Sequence, residues 1–383
     1  MKYTSAGRRR FIKEAATTVA GIAGLSAFPV QYIRAEAPVK EIIYDNPRIR
    51  FSVIGINHNH INSQVEAVKR GGGEFVSFFA KEPDLAAAFS KTFPEAKQVK
   101  SMDEILEDKS IQLVVSAAIP DERAPIGIQV MKHGKDFMAD KPGIISLEQL
   151  KEVKKVQQQT KRIYSIMYSE RLENGATIKA GELIKDGAIG KVVQTIGLGP
   201  HRMNPKSRPE WFFHPKRYGG IITDIASHQF DQFLFFTGSK NVEVVSSQVA
   251  NVNHPEYPEL EDFADVLLKG DTASGYMRVD WFTPESLKTW GDTRLTVLGT
   301  EGYIEVRKNI DITGREGANH LFLVNNKETK YIDCKDVPLT YGHQLVDDVL
   351  NRTETALPQE HCFYAAELSI RAQQKAKRNS YKN

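Results

Sequence analysis

The chain has 383 residues, 41% hydrophobic and 26% charged, which suits a soluble globular protein with room for two domains and a buried core. Its formal charge of +3 belongs to the N-terminal 37 residues, which hold six basic and two acidic side chains; the remainder has 45 basic and 46 acidic residues. That balance excludes a basic nucleic-acid-binding surface as an organising feature, and two cysteines, Cys334 and Cys362, make neither a disulfide framework nor a metal-ligand pattern.

The N-terminus reads as a leader. Arg8 and Arg9 precede Phe11, Ile12 and Lys13, and an apolar run of small residues follows from Ala15 to Ala27. This is the order of a twin-arginine export signal, with an apolar run short for a bilayer span. Residues 1–37 are expected to be removed after Ala37, leaving a periplasmic or otherwise exported protein with no membrane span.

Beyond the leader, strand-like and helix-like segments alternate. "RIRFSVIG" is an apolar run ending in Gly55, and "HINSQVEAVKRGGG" carries helical spacing at Ile61, Val65 and Val68. "EFVSFFA", "IQLVVSAAI", "DFMAD" and "RIYSIMY" read as further buried strands, separated by helices at "PDLAAAFSKTF", "APIGIQVMKHG" and "SLEQLKEVKKVQQQ". Buried strands spaced by helices predict a doubly wound parallel sheet of Rossmann type over residues 38–168.

From residue 169 the pattern changes. A helix at "ATIKAGELIKDGAIG" and another at "TDIASHQFDQFLFF" are followed by closely spaced strands between "VEVVSSQVANV" and "HLFLVN", then by helices near 341–352 and 358–377. This predicts an α+β domain over residues 169–383 with a large, mainly antiparallel sheet, so the fold class is α/β with a cleft between two domains.

Three motifs mark the chemistry. The first is the strand and loop "FSVIGINHNH"; the second is "ADKPGIIS", with Asp140-Lys141-Pro142; the third is "YGGIITDIASHQFDQFLFFTG", in which Asp224 and His228 stand four apart. On a helix those two share a face, and a histidine beside a carboxylate can accept a hydroxyl proton near neutral pH. Lys141 follows a sheet strand, where α/β proteins assemble their sites, and an ammonium there can stabilise a developing alkoxide. Taken singly, a lysine or a histidine of this kind is more often a solvated or satisfied structural residue.

Together, in this order, the three motifs resemble the glucose–fructose oxidoreductase / inositol dehydrogenase (Gfo/Idh/MocA) family across essentially the whole chain after the leader. The resemblance implies an NAD(P)-dependent oxidoreductase acting on a CH–OH group of a sugar, glycoside or polyol. His228 is then the general base, Lys141 the electrostatic partner, and Asp224 an orienter of substrate or histidine. It also implies a homodimer or homotetramer, and a Lys141–Pro142 bond that is often cis.

The loop departs from the family pattern. Of Gly-x-Gly-x-x-Gly only Gly55 remains, with Asn57 and His60 at the other two places. Ala80, followed by Lys81, stands where an acid usually binds the adenosine ribose, and Lys81 can accept a 2′-phosphate. Asp121 and Arg123 replace the Asn and His often found after the fourth strand. The cofactor-binding set implied is Gly55, Asn57, His58, His60, Ala80, Lys81, Ile119, Pro120, Asp140 and Lys141, for NAD(P) with NAD favoured. A metal at His58 and His60 lacks a third ligand nearby in the sequence, so no metal is expected. Because export carries folded proteins, the leader points to a tightly bound cofactor.

The segment "GPHRMNPKSRPEWFFHPKRYGG" offers aromatic and cationic groups for a carbohydrate. His201, Arg208 and Trp211 lead, with Tyr218 as a further stacking residue or an acid–base in elimination. Two other functions stay open from sequence: glycoside cleavage, elimination or epimerisation by transient oxidation, and cofactor-free carbohydrate binding.

Overall fold

The computed structural model describes residues 31–34 and 44–380. The leader's basic pair and apolar run lie outside these residues. Residues 31–34 form a short strand, β1, within the segment read as leader.

The first domain is a six-stranded parallel sheet. In chain order it runs β2 (Ile49–Ile54), α1 (Ile61–Arg70), β3 (Gly73–Phe79), α2 (Pro83–Thr92), β4 (Lys97–Gln98), α3 (Met102–Glu107), β5 (Leu113–Ser116), α4 (Pro120–Lys132), β6 (Asp136–Asp140), α5 (Leu147–Thr160) and β7 (Tyr164–Met167). Strand order is β4-β3-β2-β5-β6-β7, all pairs parallel. Every residue of β5, β6 and β7 is buried, which is why these strands read as unbroken apolar runs. Helix starts follow local chemistry: proline opens α2 and α4, Ser101 and Glu104 form a capping box on α3, and the Ser146 hydroxyl caps α5. Helix α4 begins at Pro120 rather than at Ala124, so Asp121 and Arg123 sit in its first turn.

The sheet order reverses between β2 and β5, and this switch point opens a crevice at their carboxyl ends. Gly55 lies there with φ +81°, and a Cβ on it would meet the Ala118 Cβ at 2.5 Å, so only glycine fits between the two strand ends.

The second domain contributes α6 (Ser169–Leu172), α7 (Gly175–Lys185), β8 (Val192–Pro200), α8 (Pro215–Tyr218), α9 (Ser227–Thr237) and strands β9 (Val242–Ala250), β10 (Phe263–Gly270), β11 (Ser274–Asp280), β12 (Arg294–Gly299), β13 (Gly302–Arg307), β14 (His320–Asn325) and β15 (Thr329–Asp333). Helices α10 (Tyr341–Asn351) and α11 (Gln359–Lys375) and a short β16 (Lys377–Asn379) complete it. Ten strands pair in the order β1-β15-β14-β13-β12-β8-β11-β10-β9-β16. The pairs are antiparallel except β1–β15, β8–β11 and β9–β16. One face of the sheet is covered by helices: α9 lies on β8, where Gly197 and Gly199 leave space for the Gln229 side chain.

The chain returns to the first domain at α10. Tyr341 bonds Ser165 at 2.9 Å, and Arg48 meets Asp347 at 2.5 Å. Gly342 lies so close to α1 that a Cβ would fall 1.8 Å from the Ala67 carbonyl oxygen. One continuous core joins the Rossmann sheet to α9 and α11, and a smaller one lies under α7. Cys334 and Cys362 are both buried and unpaired with each other. No helix among the described residues is long and apolar enough to cross a membrane.

Candidate active site in the interdomain cleft

At the carboxyl end of the parallel sheet a cavity of about 350 Å³ is walled by Ile54, Phe79, Ala80, Pro125 and Ile126, with Gly55 at its floor. Apolar walls beside a glycine turn at the switch point fit the adenosine half of a dinucleotide. Two residues past Ala80, Glu82 lines the same cavity, and Asn57 Nδ2 donates to its Oε1 at 2.8 Å. Asn57 therefore anchors a carboxylate where the family pattern has a glycine. Lys81 also lines this cavity but spends its ammonium on Glu122 at 3.0 Å. Ile119 borders a neighbouring groove shared with Asn57, Arg208 and Trp211.

A second cavity, about 320 Å³, lies between the domains. It gathers Lys141, Asp224, His228, His201, Arg208 and Trp211, with His58, His60 and Pro120 from the first domain. Residues separated by more than 80 positions thus converge on one space. Lys141 follows β6, its peptide bond to Pro142 is cis, and its Nζ donates to Asp224 Oδ1 at 3.0 Å.

The helix expected around Asp224 and His228 is interrupted. Residues Ile222–Ala226 form a π-helical turn, and α9 starts after it. Asp224 and His228 still line the same cavity across this turn, and the Asp224 carboxylate accepts from Lys141. The carboxylate acting on His228 is Glu170, absent from the sequence-derived set. Glu170 follows β7 and is fixed by the Lys308 ammonium and by Gln229 Nε2 at 3.3 Å. Burial raises its carboxyl pKa, but Lys308 and His228 outweigh that and hold it at about 2. Burial lowers His228 to about 4, against the opposing pull of Glu170. Burial likewise lowers His201 to about 3, helped by the Lys141 charge. Both rings are therefore neutral at pH 7, the form that accepts a proton.

Aromatic groups line the outer side. His201 lies 4.4 Å from the Trp290 ring and 5.3 Å from Trp281. Arg208 sits 4.4 Å over Phe212 and 5.1 Å over Trp281, and bonds the Met203 and Arg202 carbonyls, so part of its fork holds the loop in place. Tyr218 is not among the residues lining either cavity. It is 2% exposed, packed behind Phe212, with its hydroxyl buried, so the stacking and acid–base roles considered for it lack access. Four buried polar atoms on residues lining this cleft have no hydrogen-bond partner among the described residues: His228 Nδ1, Glu170 Oε1, Trp281 Nε1 and Arg202 Nε. Buried polar atoms of this kind are normally satisfied.

The loop histidines meet a third group that the sequence hid. His60 Nδ1 lies 3.0 Å from Asp140 Oδ1 and His58 Nδ1 3.6 Å from Asp140 Oδ2, so one potential ligand atom from each falls within 4.8 Å of the others. The expectation that no third ligand stands nearby is thus corrected. The fully buried Arg123 guanidinium, however, already occupies Asp140 Oδ2 at 3.1 Å, and the Lys141 ammonium borders the same space. A dication there faces two fixed positive charges, and the cluster is already charge-balanced. Arg123 also bonds the Ala118 and Lys141 carbonyls, and so acts on the site's frame rather than as a ligand group after the fourth strand.

A dinucleotide crevice joined to a polar cleft with a lysine–aspartate pair and a neutral histidine defines a two-domain oxidoreductase. The chain belongs to the Gfo/Idh/MocA family: residues 49–168 match the model described as oxidoreductase family, NAD-binding Rossmann fold, and residues 177–305 match the GFO/IDH/MocA C-terminal domain. A crystal structure of a putative oxidoreductase from Erwinia carotovora atroseptica is 43% identical, with TM-score 0.84, covering 86% of this chain and 99% of that one. The scyllo-inositol 2-dehydrogenase (NAD(+)) of Bacillus subtilis is 28% identical over 52% of this chain and 56% of its own length. A levoglucosan dehydrogenase in complex with NADH and levoglucosan shares the fold at TM-score 0.68 and 15% identity, covering 84% of this chain and 98% of that one.

Proposed function

We propose that this protein is an NAD(P)-dependent dehydrogenase that oxidises a hydroxyl of a sugar, glycoside or polyol in the interdomain cleft. The observation that carries this reading is the meeting of Lys141, Asp224 and neutral His228 in one cavity at the mouth of the dinucleotide crevice. A nicotinamide dinucleotide bound in that crevice supplies the hydride acceptor. Gly55, Ala80 and Glu82 would hold its adenosine half, and the backbone N–H groups at the start of α1 would hold its phosphates.

His228 takes the hydroxyl proton as the C–H bond is broken. Lys141, oriented by Asp224, holds the substrate oxygen and stabilises its negative charge. The unpartnered Glu170 Oε1 and Trp281 Nε1 bind neighbouring hydroxyls, and Trp211 and Trp290 cover the apolar face of a ring. Two of the relatives are dehydrogenases of a cyclic polyol and of an anhydrosugar, which supports the substrate class. NAD is preferred over NADP, because the Glu82 carboxylate repels a 2′-phosphate and Lys81 is already paired.

Export by the twin-arginine route and retention of the cofactor through export form part of this reading, supported by the order of Arg8, Arg9 and the apolar run. So does a homodimer or homotetramer through the outer face of the ten-stranded sheet. There Leu298 and Tyr303 are cross-strand partners and both about two-fifths exposed. The test is to unfold the purified protein and measure released nicotinamide by mass spectrometry, then to titrate the stripped and refolded chain with NAD and NADP. A stoichiometric dinucleotide or micromolar rebinding is expected; neither bound cofactor nor binding on titration refutes the reading.

A further inference from the structure

His60 stands at the start of α1, where a dinucleotide loop ordinarily needs a residue without bulk. Its ring is just over one-third exposed, while the Asp140 carboxylate beneath it is 3% exposed. We propose that His60, seated on Asp140, is a second proton-transferring residue of the cleft, which removes the C–H proton adjacent to the carbonyl that oxidation creates. The site then performs transient-oxidation chemistry, the class that epimerises a polyol or eliminates a substituent without net redox change. This rests on the dehydrogenase reading above, since the acidified C–H arises only beside a carbonyl.

The geometry is that of an oriented base. Asp140 is held ionised by the buried Arg123 guanidinium paired with its Oδ2. An ionised carboxylate only accepts, so the His60 nitrogen 3.0 Å away, Nδ1, carries the ring's proton. Nε2 is then left with a lone pair on a residue that lines the cleft. A buried aspartate that fixes a histidine's tautomer is the arrangement by which a carboxylate prepares an imidazole for proton abstraction. Arg123 Nη2, 3.1 Å from Asp140 Oδ2, and the edge-on His58 ring, 4.0 Å from His60, hold the pair in place.

The hydride-transfer residues do not require this dyad. His228 and Lys141 already supply a base and an oxyanion partner, and His60 comes from the opposite domain. His60 and His228 line the same cavity. The step balances as follows. Oxidation delivers a hydride to the nicotinamide dinucleotide and a proton to His228, leaving a ketone. Nε2 of His60 then takes the neighbouring C–H proton, and the bond pair becomes the C=C of an enolate whose oxygen lies against the Lys141 ammonium. Return of the proton to either face restores the ketone, with retention from His60 or inversion from the opposite side. Hydride return then closes a redox-neutral cycle.

The experiment supplies the ketone directly, which separates this step from hydride transfer. Holoenzyme in D2O is given 2-keto-myo-inositol or 3-keto-glucose, and loss of the C–H signals beside the carbonyl is followed by NMR. Exchange at least 100-fold above the protein-free rate is expected, falling to background in His60→Gln and to an intermediate rate in Asp140→Asn. A His60→Gln melt that superimposes on wild type excludes misfolding. Long-range 15N spectra of histidine-labelled protein should show His60 protonated at Nδ1. Background exchange on both ketones, equal exchange in His60→Gln, an Nε2–H tautomer, or a stoichiometric metal in the dialysed protein each overturns the inference. Oxidation of myo-inositol or glucose, read as absorbance at 340 nm, reports the dehydrogenase reading separately. Oxidation without ketone exchange sinks only the role of His60, and absence of both sinks the two together.

Discussion

At the residue scale, His228 as the proposed base would set the pH behaviour of the cleft. Its pKa of about 4 means that the proton-accepting form persists through neutral and mildly acidic solution. kcat/KM should therefore hold its plateau down to about pH 5 and fall below it, as the free-enzyme base protonates. Replacing Glu170 by Gln removes a charge that raises the His228 pKa, so the acid limb should move to still lower pH; an upward shift contradicts the electrostatic assignment. His228→Asn should reduce kcat by roughly 10²–10⁴-fold with cofactor retained, the usual contribution of a positioned base. Lys141 and His228 could be singled out in the sequence because each lies in a short motif with fixed neighbours, and the structure brings them to one cavity. Glu170 was not singled out, although its place just past a buried strand is where α/β sites assemble. Its pairing with Lys308 crosses 138 positions, which no local pattern carries.

At the scale of elements, the strand-to-helix turns decide what the site can hold. The turn after β2 was readable in its glycine, whereas the tie from Asn57 to Glu82 across the crevice was not. Glu82 was not legible as a cavity residue, since the sequence register does not show that the chain still lines the cavity two residues past Ala80. NAD should thus bind more tightly than NADP, and Glu82→Gln should narrow the gap by on the order of tenfold, about 1.4 kcal/mol, in a fluorescence titration. Unchanged discrimination would remove Glu82 from the cofactor site. Gly55→Ala should lower unfolding free energy by about 1–3 kcal/mol, because the new Cβ combines positive φ with a 2.5 Å approach to Ala118. The π turn at Ile222–Ala226 was not legible from spacing, nor was the Lys141 partner of Asp224, which lies 83 positions away.

At the scale of the molecule, the parallel sheet and the large mixed sheet were both legible, because strands buried on two faces and strands buried on one leave different patterns. The return of α10 to the first domain was not, since nothing in an amphipathic helix names the surface that it covers. The fold also concentrates titratable groups at its centre. His201 and His228 have folded pKa values depressed below 6.5, so the unfolded chain binds more protons as pH falls toward 4. Glu170 and Asp231, each at about 2, continue the trend below the ordinary carboxylate range. All these depressed values have one sign: stability present at neutral pH is lost progressively on acidification, beginning near pH 6.5. The urea midpoint should therefore fall between pH 7 and pH 5, and a flat or rising midpoint would contradict the buried-neutral assignment of the two histidines. Size-exclusion chromatography with light scattering should give a dimer or tetramer, and a monomer refutes the proposed use of the sheet's outer face. The central claim is that a dinucleotide crevice serves a hydroxyl-oxidising cleft. It is tested most directly by adding myo-inositol, glucose and methyl glucosides to the cofactor-loaded protein and following absorbance at 340 nm. The account predicts a stoichiometric rise with at least one of them that His228→Asn abolishes. No rise with any of them, or a rise that survives in His228→Asn, contradicts it.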